Sequence, residues 1–184
     1  MKNLGILKRG NVCLIIIDVQ ERFRPVIFEM DRVIENTVKL AKAFNIFGIP
    51  IIVTEQNPEK LGKTVDEIRW SLLEYRPIEK LHFSCFGEEE FVKALKKHDV
   101  TQLVLCGIES HVCVLKTAID AIRAGYEVHV AYDAISSRNI ADWEIAKNRF
   151  VQSGAYVTTA ESIIFQLMEF AGTEEFRKIM NIVK

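Results

Sequence analysis

Cys113, Asp18 and Lys80 are the side chains in this sequence whose types could together attack a carbonyl. Cys113 lies in LVLCGIESHVCVLKTA, where a strand-like run through Leu103, Val104 and Leu105 reaches Gly107 and a helix-like pattern follows. Ser110 suits the N-cap of a helix running to Gly125, which makes Cys113 its N3 residue. In that first turn the backbone N–H groups lack intrahelical partners and the helix dipole favours a thiolate. A hundredfold gain in thiolate takes about 2.7 kcal/mol, whereas a helix end supplies about 0.3–1 kcal/mol. An armed thiol therefore needs a cation as well. The competing role for Cys113 is a small hydrophobe packed between Val112 and Val114.

Asp18 closes the most apolar strand of the chain, where a carboxylate either caps a turn or lies at the mouth of a site. Lys80 follows the extended YRPIEK and precedes the aromatic-rich LHFSCF; alone, it reads as a solvated lysine. Together the three supply a thiol, an acid to take its proton and a cation to hold the thiolate, which are the parts of an activated nucleophile.

The elements that must position them alternate. NVCLIIID is a continuous β-rich run, as expected of a strand buried on both faces of a parallel sheet. Residues 31 to 47 carry Val33, Thr37, Leu40, Ala41 and Phe44 on one helical face, with Asp31 as N-cap and Gly48 as stop. IPIIVTE, TQLVLCG, YEVHVAYD and a short AYVTT follow as strands, separated by helical patterns. Thr158 and Glu161 form a Thr-x-x-Glu capping box, and TEEFRKIMNIVK is a final helix with acids in its first turn. The alternation predicts a single α/β domain over residues 1–184: a three-layer, doubly wound, Rossmann-like and mainly parallel sheet flanked by helices. Ligands of such folds bind beyond the carboxyl ends of the strands. Those ends carry Asp18, Glu55, Gly107 and Asp133. No G-x-G-x-x-G or P-loop motif follows any strand, so a nucleotide reading has no support.

Composition excludes other classes. At 184 residues, 49% hydrophobic and 27% charged, the chain can bury a core and is not a disordered one. A net charge of −1 with dispersed lysines speaks against a nucleic-acid partner. No apolar segment reaches the roughly 18 residues of a membrane span, and the opening MKNLGILKRGN has no secretory signal pattern. Cys13, Cys85, Cys106 and Cys113 show no disulfide or zinc spacing; free thiols in a reducing cytoplasm are the simplest reading. Cys13 and Cys106 read as buried fillers, with Cys85 the next candidate nucleophile after Cys113. His82, His98, His111 and His129 are scattered without ligand spacing, so no metal is expected. Gln20, Phe23, Phe83 and Tyr132 are placed to touch a substrate or to serve ordinary packing. Trp70 and Trp143 suit a core or a subunit interface.

The stretches IIIDVQERF, EKLHFS and GIESHVCV resemble the three motifs of the isochorismatase-like cysteine hydrolases, the group that includes nicotinamidases and N-carbamoylsarcosine amidohydrolase. The similarity extends through AYDAISSR and GAYVTTAES, and VTEQNPEKLG is most like the isochorismatase domain-containing proteins. The resemblance implies the isochorismatase-like hydrolase fold. It implies Asp18 as general base and acid, Lys80 as cation, Cys113 as nucleophile, and a cis peptide between Ile108 and Glu109. The N–H groups of Glu109 and Cys113 would then form an oxyanion hole. It also implies a homo-oligomer, without a cofactor, that hydrolyses a small amide or related carbonyl substrate through a thioester. The metal-dependent nicotinamidases carry D-x-H after the second strand; here that place reads TEQ, with no histidine. Two alternatives stand beside this reading: a family member that binds a ligand or partner without turnover, and a vinyl-ether hydrolase of isochorismate type, which needs an acid rather than a nucleophile.

Overall fold

In the computed structural model, which describes residues 4–184, the run VCLIII forms strand β1 (Val12–Ile17), buried at every position. Met1 to Asn3, at the start of MKNLGILKRGN, lie outside the described residues. Alternate side chains of β1 enter two different apolar layers. Val12, Leu14 and Ile16 join one layer with helices α1 (Met30–Phe47), α3 (Asp66–Ser71), α7 (Ala160–Gln166) and α8 (Glu174–Val183). Cys13, Ile15 and Ile17 join the other, with α4 (Glu89–Lys96), α5 (Leu115–Arg123) and α6 (Ile140–Gln152). This is why the strand reads as an unbroken apolar run rather than an alternating one.

Strand β1 is flanked by β2 (Ile51–Gln56) and β4 (Gln102–Ile108); a four-residue helix, α2 (Pro58–Leu61), follows β2. The sheet is completed by β3 (Ile78–Lys80), β5 (Glu127–Ser136) and β6 (Tyr156–Thr158), in the order β3-β2-β1-β4-β5-β6 with every pair parallel. That is the doubly wound order, whose direction reverses between β1 and β4. Asp18 follows β1 and Cys113 follows β4, so two of the three candidate residues flank that crevice. No described helix is long and apolar enough to cross a membrane.

The structure departs from the sequence expectations at element ends. Helix α1 begins at Met30, with Glu29 in the left-handed conformation (φ 49°) as its N-cap; Asp31 sits inside the first turn with its side chain exposed. Gly48 stops α1 as expected, at φ 67°. Helix α7 is capped one residue later than the proposed box: Thr159 Oγ1 accepts from Ser162 N–H at 3.3 Å. The amide of Ala160 meets Asp133 Oδ1 at 2.8 Å. Helix α8 starts as its acids suggest, with Thr173 capping Phe176 N–H. YRPIEK contains a true edge strand, β3, whose three residues pair with Thr54, Glu55 and Gln56.

Gly107 lets the crevice form. It pairs with Ile17 across the β1–β4 ladder at φ +118°, and a Cβ there would lie 2.0 Å from the Ile17 carbonyl oxygen. Only glycine fits this approach, which draws the end of β4 against the residue preceding Asp18. Just before it the β4–β5 ladder slips, from Leu105 opposite Val130 to Gly107 opposite Ile135, so β5 bulges and carries Asp133 off the ladder.

Gly154 supplies the control for a prediction, being at φ +93° with open space where its Cβ would go. Gly154→Ala is expected to lose about 1 kcal/mol from backbone strain alone. Gly107→Ala adds a backbone collision and is expected to lose about 3 kcal/mol or more. Denaturant midpoints of the two variants, measured side by side, check this.

Candidate active site

Four strand ends deliver the site in sheet order. Asp18 leaves β1 with a left-handed backbone (φ 54°), tied by its N–H to Thr54 O and by its carbonyl to Gln20 N–H. A non-glycine residue in this region is sparsely populated, and Asp and Asn tolerate it best. The turn aims the carboxylate inward, where the residue is 1% exposed. Oδ1 accepts a hydrogen bond from Thr54 Oγ1 of β2 at 2.8 Å. Oδ2 lies 2.6 Å from Lys80 Nζ of β3, off the line of a hydrogen bond. The Lys80 side chain is 0% exposed, so this is a fully buried ion pair. The Cys113 thiol, reached from β4, faces the same carboxylate, close enough for each to shift the other's proton affinity. The three residues singled out in the sequence meet in one contact group.

Cys113 does not sit at N3 of an α-helix. Ser110–Val114 form a π-helical turn ahead of α5, closed by Val114 N–H to Glu109 O at 3.2 Å. Such turns recur at functional sites because they widen the backbone locally. Ser110 is not a side-chain cap either: its Oγ lies 2.5 Å from Ser137 Oγ, which in turn meets His111 Nδ1 at 2.8 Å. The Ile108–Glu109 peptide is cis. Glu109 is anchored beyond it, Oε2 accepting from Arg138 N–H at 2.9 Å and from Arg138 Nε at 3.1 Å.

Burial pushes the Asp18 carboxyl above the usual range, while Lys80, Thr54 and Cys113 pull it back. Burial works against the Lys80 charge, but the negative charge of Asp18 outweighs it and raises the ammonium's pKa, with Cys113 and Cys85 adding to this only where they ionise. Burial first and the Asp18 charge second push the Cys113 thiol up, against the pull of Lys80. With Asp18 ionised against Lys80, the thiol is held neutral, not as the thiolate that a helix end and a cation would suggest. A second lost proton would leave a net negative charge away from water. A raised carboxyl is a better base toward a thiol proton than an ordinary one.

The other strand-end acids are committed elsewhere. Glu55 Oε1 accepts from Thr64 N–H at 2.6 Å and Thr64 Oγ1 at 2.8 Å, and also from Tyr75 OH; burial and Glu55 push the Tyr75 phenol up to about 12. Asp133 caps α7. Cys13, Cys85 and Cys106 are all 0% exposed, each pushed up to about 12 by burial. Cys85 is the one beside the site, with Sγ 3.9 Å from Thr54 Oγ1.

Of the four proposed substrate contacts, Gln20 is corrected. It is 0% exposed, and its amide is spent on the backbone of Gln56 and Gly62. Phe23 packs half-buried on the α1 layer, and Tyr132 stacks on Trp143 with ring centroids 4.5 Å apart. Phe83 is 53% exposed and lines a cavity of about 560 Å³ with Ser84, Phe86 and Lys116; its carbonyl accepts from Lys80 Nζ at 3.3 Å. Trp70 is 77% exposed, not a core residue, while Trp143 lies half-buried under Arg32. Sequence reasoning missed Thr54 and Gln56. Their signal was two polar residues at i and i+2 ending an apolar strand, a pattern that sends both to one face.

A model of the isochorismatase domain matches residues 12–162. The secreted isochorismatase effector Isc1 of Phytophthora sojae (strain P6497) is 38% identical over 192 residues, covering all of this chain and 89% of that protein. The MAR1 ribonuclease structure from Caenorhabditis elegans is 36% identical, with a TM-score of 0.90 over 96% of this chain and 91% of that one. The YcaC structure from Escherichia coli, described as an octameric hydrolase of unknown specificity, is 26% identical, with a TM-score of 0.85 over 91% of this chain and 84% of that one.

Removing one member of the buried pair leaves the other uncompensated. Lys80→Met is expected to destabilise the fold by about 3–5 kcal/mol. Asp18→Asn with Lys80→Met, which removes both charges and keeps a side chain suited to the left-handed turn, is expected to recover most of that loss. Urea unfolding of the single and double variants reads the difference.

Proposed function

The chain belongs to the isochorismatase family of hydrolases, and from that premise we propose that it hydrolyses a small amide or related carbonyl compound through a thioester on Cys113. The observation that carries this reading is the single contact group of thiol, carboxylate and ammonium at the carboxyl ends of β1, β3 and β4. A base must lie near the proton it takes, and Asp18 and the thiol stand close enough to shift each other's proton affinity.

Asp18 removes the thiol proton as sulfur attacks the carbonyl carbon, forming the S–C bond. The ammonium of Lys80 offsets the negative charge that moves onto sulfur, and the N–H groups of Glu109 and Cys113 receive the charge on oxygen. The tetrahedral intermediate collapses with cleavage of the C–N bond, and Asp18 returns its proton to the leaving amine. Water then attacks the thioester while Asp18 takes its proton; the acid departs, and Asp18 hands the proton back to the Cys113 thiol. One carboxyl thus serves as base and acid in each half of the cycle. Phe83 and Tyr132 are proposed as substrate neighbours. The octameric assembly described for YcaC supports a homo-oligomer here.

Vinyl-ether hydrolysis is the second reading. A carboxyl pushed up by burial keeps a proton to give to an alkene, and the Phytophthora relative is named an isochorismatase effector. The ribonuclease designation of the nematode structure belongs to that protein; the net charge of −1 here gives no support to an RNA substrate.

Two experiments separate these readings. Activated acyl donors such as small p-nitrophenyl esters, followed by rapid denaturation and peptide mass mapping, are expected to leave one acyl group on the Cys113 peptide, absent in Cys113→Ala. A folded protein that never acylates there contradicts the thioester route and favours the binding-only alternative. The pH profile has opposite signs for the two chemistries. The thioester route needs ionised Asp18, so kcat/KM should fall as pH drops through a midpoint above the ordinary carboxyl value of about 4. A route that needs protonated Asp18 should instead gain activity in that direction and survive Cys113→Ala.

A further inference from the structure

The Lys80 ammonium has three protons to give, and four oxygens surround it. Asp18 Oδ2 lies at 2.6 Å, Gln56 Oε1 at 2.7 Å, and the carbonyls of His82 and Phe83 at 3.2 and 3.3 Å. Only Asp18 brings a charge. The carbonyls belong to the loop directly after Lys80 and follow from local chain geometry. Gln56 comes from another strand, opposite Lys80 in the parallel ladder, and is held in place from two sides. Its Nε2 donates to Leu81 O at 3.0 Å, which fixes the amide so that oxygen faces the ammonium. Its backbone is clamped by Gln20, whose Oε1 accepts from Gln56 N–H at 2.8 Å and whose Nε2 donates to Gln56 O at 3.0 Å. The same Nε2 donates to Gly62 O at 2.6 Å, tying the clamp to the loop beyond α2.

We propose that Gln56 is a positioning residue for the Cys113 nucleophile: it fixes the Lys80 ammonium through an uncharged acceptor, with Gln20 as its clamp, so that the whole positive charge acts on Asp18 and Cys113. This rests on the cysteine-hydrolase reading, because the ammonium matters there through the charge that moves onto sulfur. The groups facing the ammonium are Asp18 from the end of β1, Cys113 from the π turn and Cys85 from the Cys85–Gly87 turn, and none of them is basic. An apolar side chain at position 56 would leave a buried ammonium proton without its acceptor. A carboxylate there would hold the lysine equally well but divide its charge between two acids. A neutral acceptor meets both demands.

The test is the rate of iodoacetamide alkylation at Cys113 against pH, read by peptide mass mapping. It compares wild type, Gln56→Glu, Gln56→Met and Lys80→Met, with a thermal melt of each. Gln56→Glu keeps the acceptor and adds a charge. It is expected to slow alkylation by about tenfold at neutral pH and to move the midpoint of the profile upward. Gln56→Met, of similar length and without an acceptor, is expected to slow it less and move the midpoint the same way. Lys80→Met should slow it most. Loss of packing alone would lower the melting temperature without moving the midpoint. If Gln56→Glu fails to fold, the Gln56→Met comparison decides. Rates and midpoints at Gln56 variants indistinguishable from wild type, with Lys80→Met slowed, overturn the role of Gln56 and leave the hydrolase reading standing. No effect of Lys80→Met overturns both.

Discussion

The ion pair between Asp18 and Lys80, two charges 2.6 Å apart with no access to water, is the constraint around which the rest of the molecule is arranged. Removing both from solvent is costly, and mutual attraction offsets that only where further hydrogen bonds satisfy each partner. The sheet supplies those bonds. Thr54 of β2 bonds the acid, and Gln56 of the same strand bonds the ammonium. The order β3-β2-β1 places the strand that serves both between the strands that carry them. Gly107 then lets β4 close against β1, which brings the thiol to the third side of the carboxylate.

This arrangement changes what arming the thiol means. Every cysteine in the chain is buried, and burial alone holds a thiol in its neutral form. Cys113 differs in the acceptor it faces, not in a lowered proton affinity. In the proposed thioester route, a carboxyl held above its usual range by burial is a matched partner for a proton that leaves only when sulfur attacks. The charge needed for nucleophilicity would then exist during the reaction and not before it, which spares the resting site an uncompensated buried anion. Cys85, beside Thr54, is equally buried but bonds to a hydroxyl instead of the acid.

The sheet was largely legible because β1, β2, β4 and β5 are continuous apolar runs, and only strands covered on both faces read that way. β3 escaped because three residues after a proline carry too short a pattern to distinguish a strand from an extended loop. Helix caps were displaced by two residues at α1 and by one at α7, where a left-handed Glu29 and a carboxylate from β5 overrode the local capping signals. Asp18, Lys80 and Cys113 were individually weak signals and became specific only as an ordered set within three motifs. The π turn left no sequence mark, since Ser-His-Val-Cys-Val suits an ordinary helix start as well. Gln20 was misjudged for a related reason. A glutamine two residues past a candidate acid suggests substrate, and nothing in its type reveals that its amide is bound to backbone 36 residues away.

On the proposed route, Cys113 rests as a thiol facing Asp18 and gives up its proton only in the reaction. Infrared spectroscopy of the S–H stretch reads this directly, as the difference between wild type and Cys113→Ala at neutral pH. One S–H band is expected in the difference spectrum, displaced by the carboxylate it faces and shifted when Asp18 is replaced by asparagine. A difference spectrum with no S–H band would mean that Cys113 is already a thiolate beside Lys80, and would contradict it.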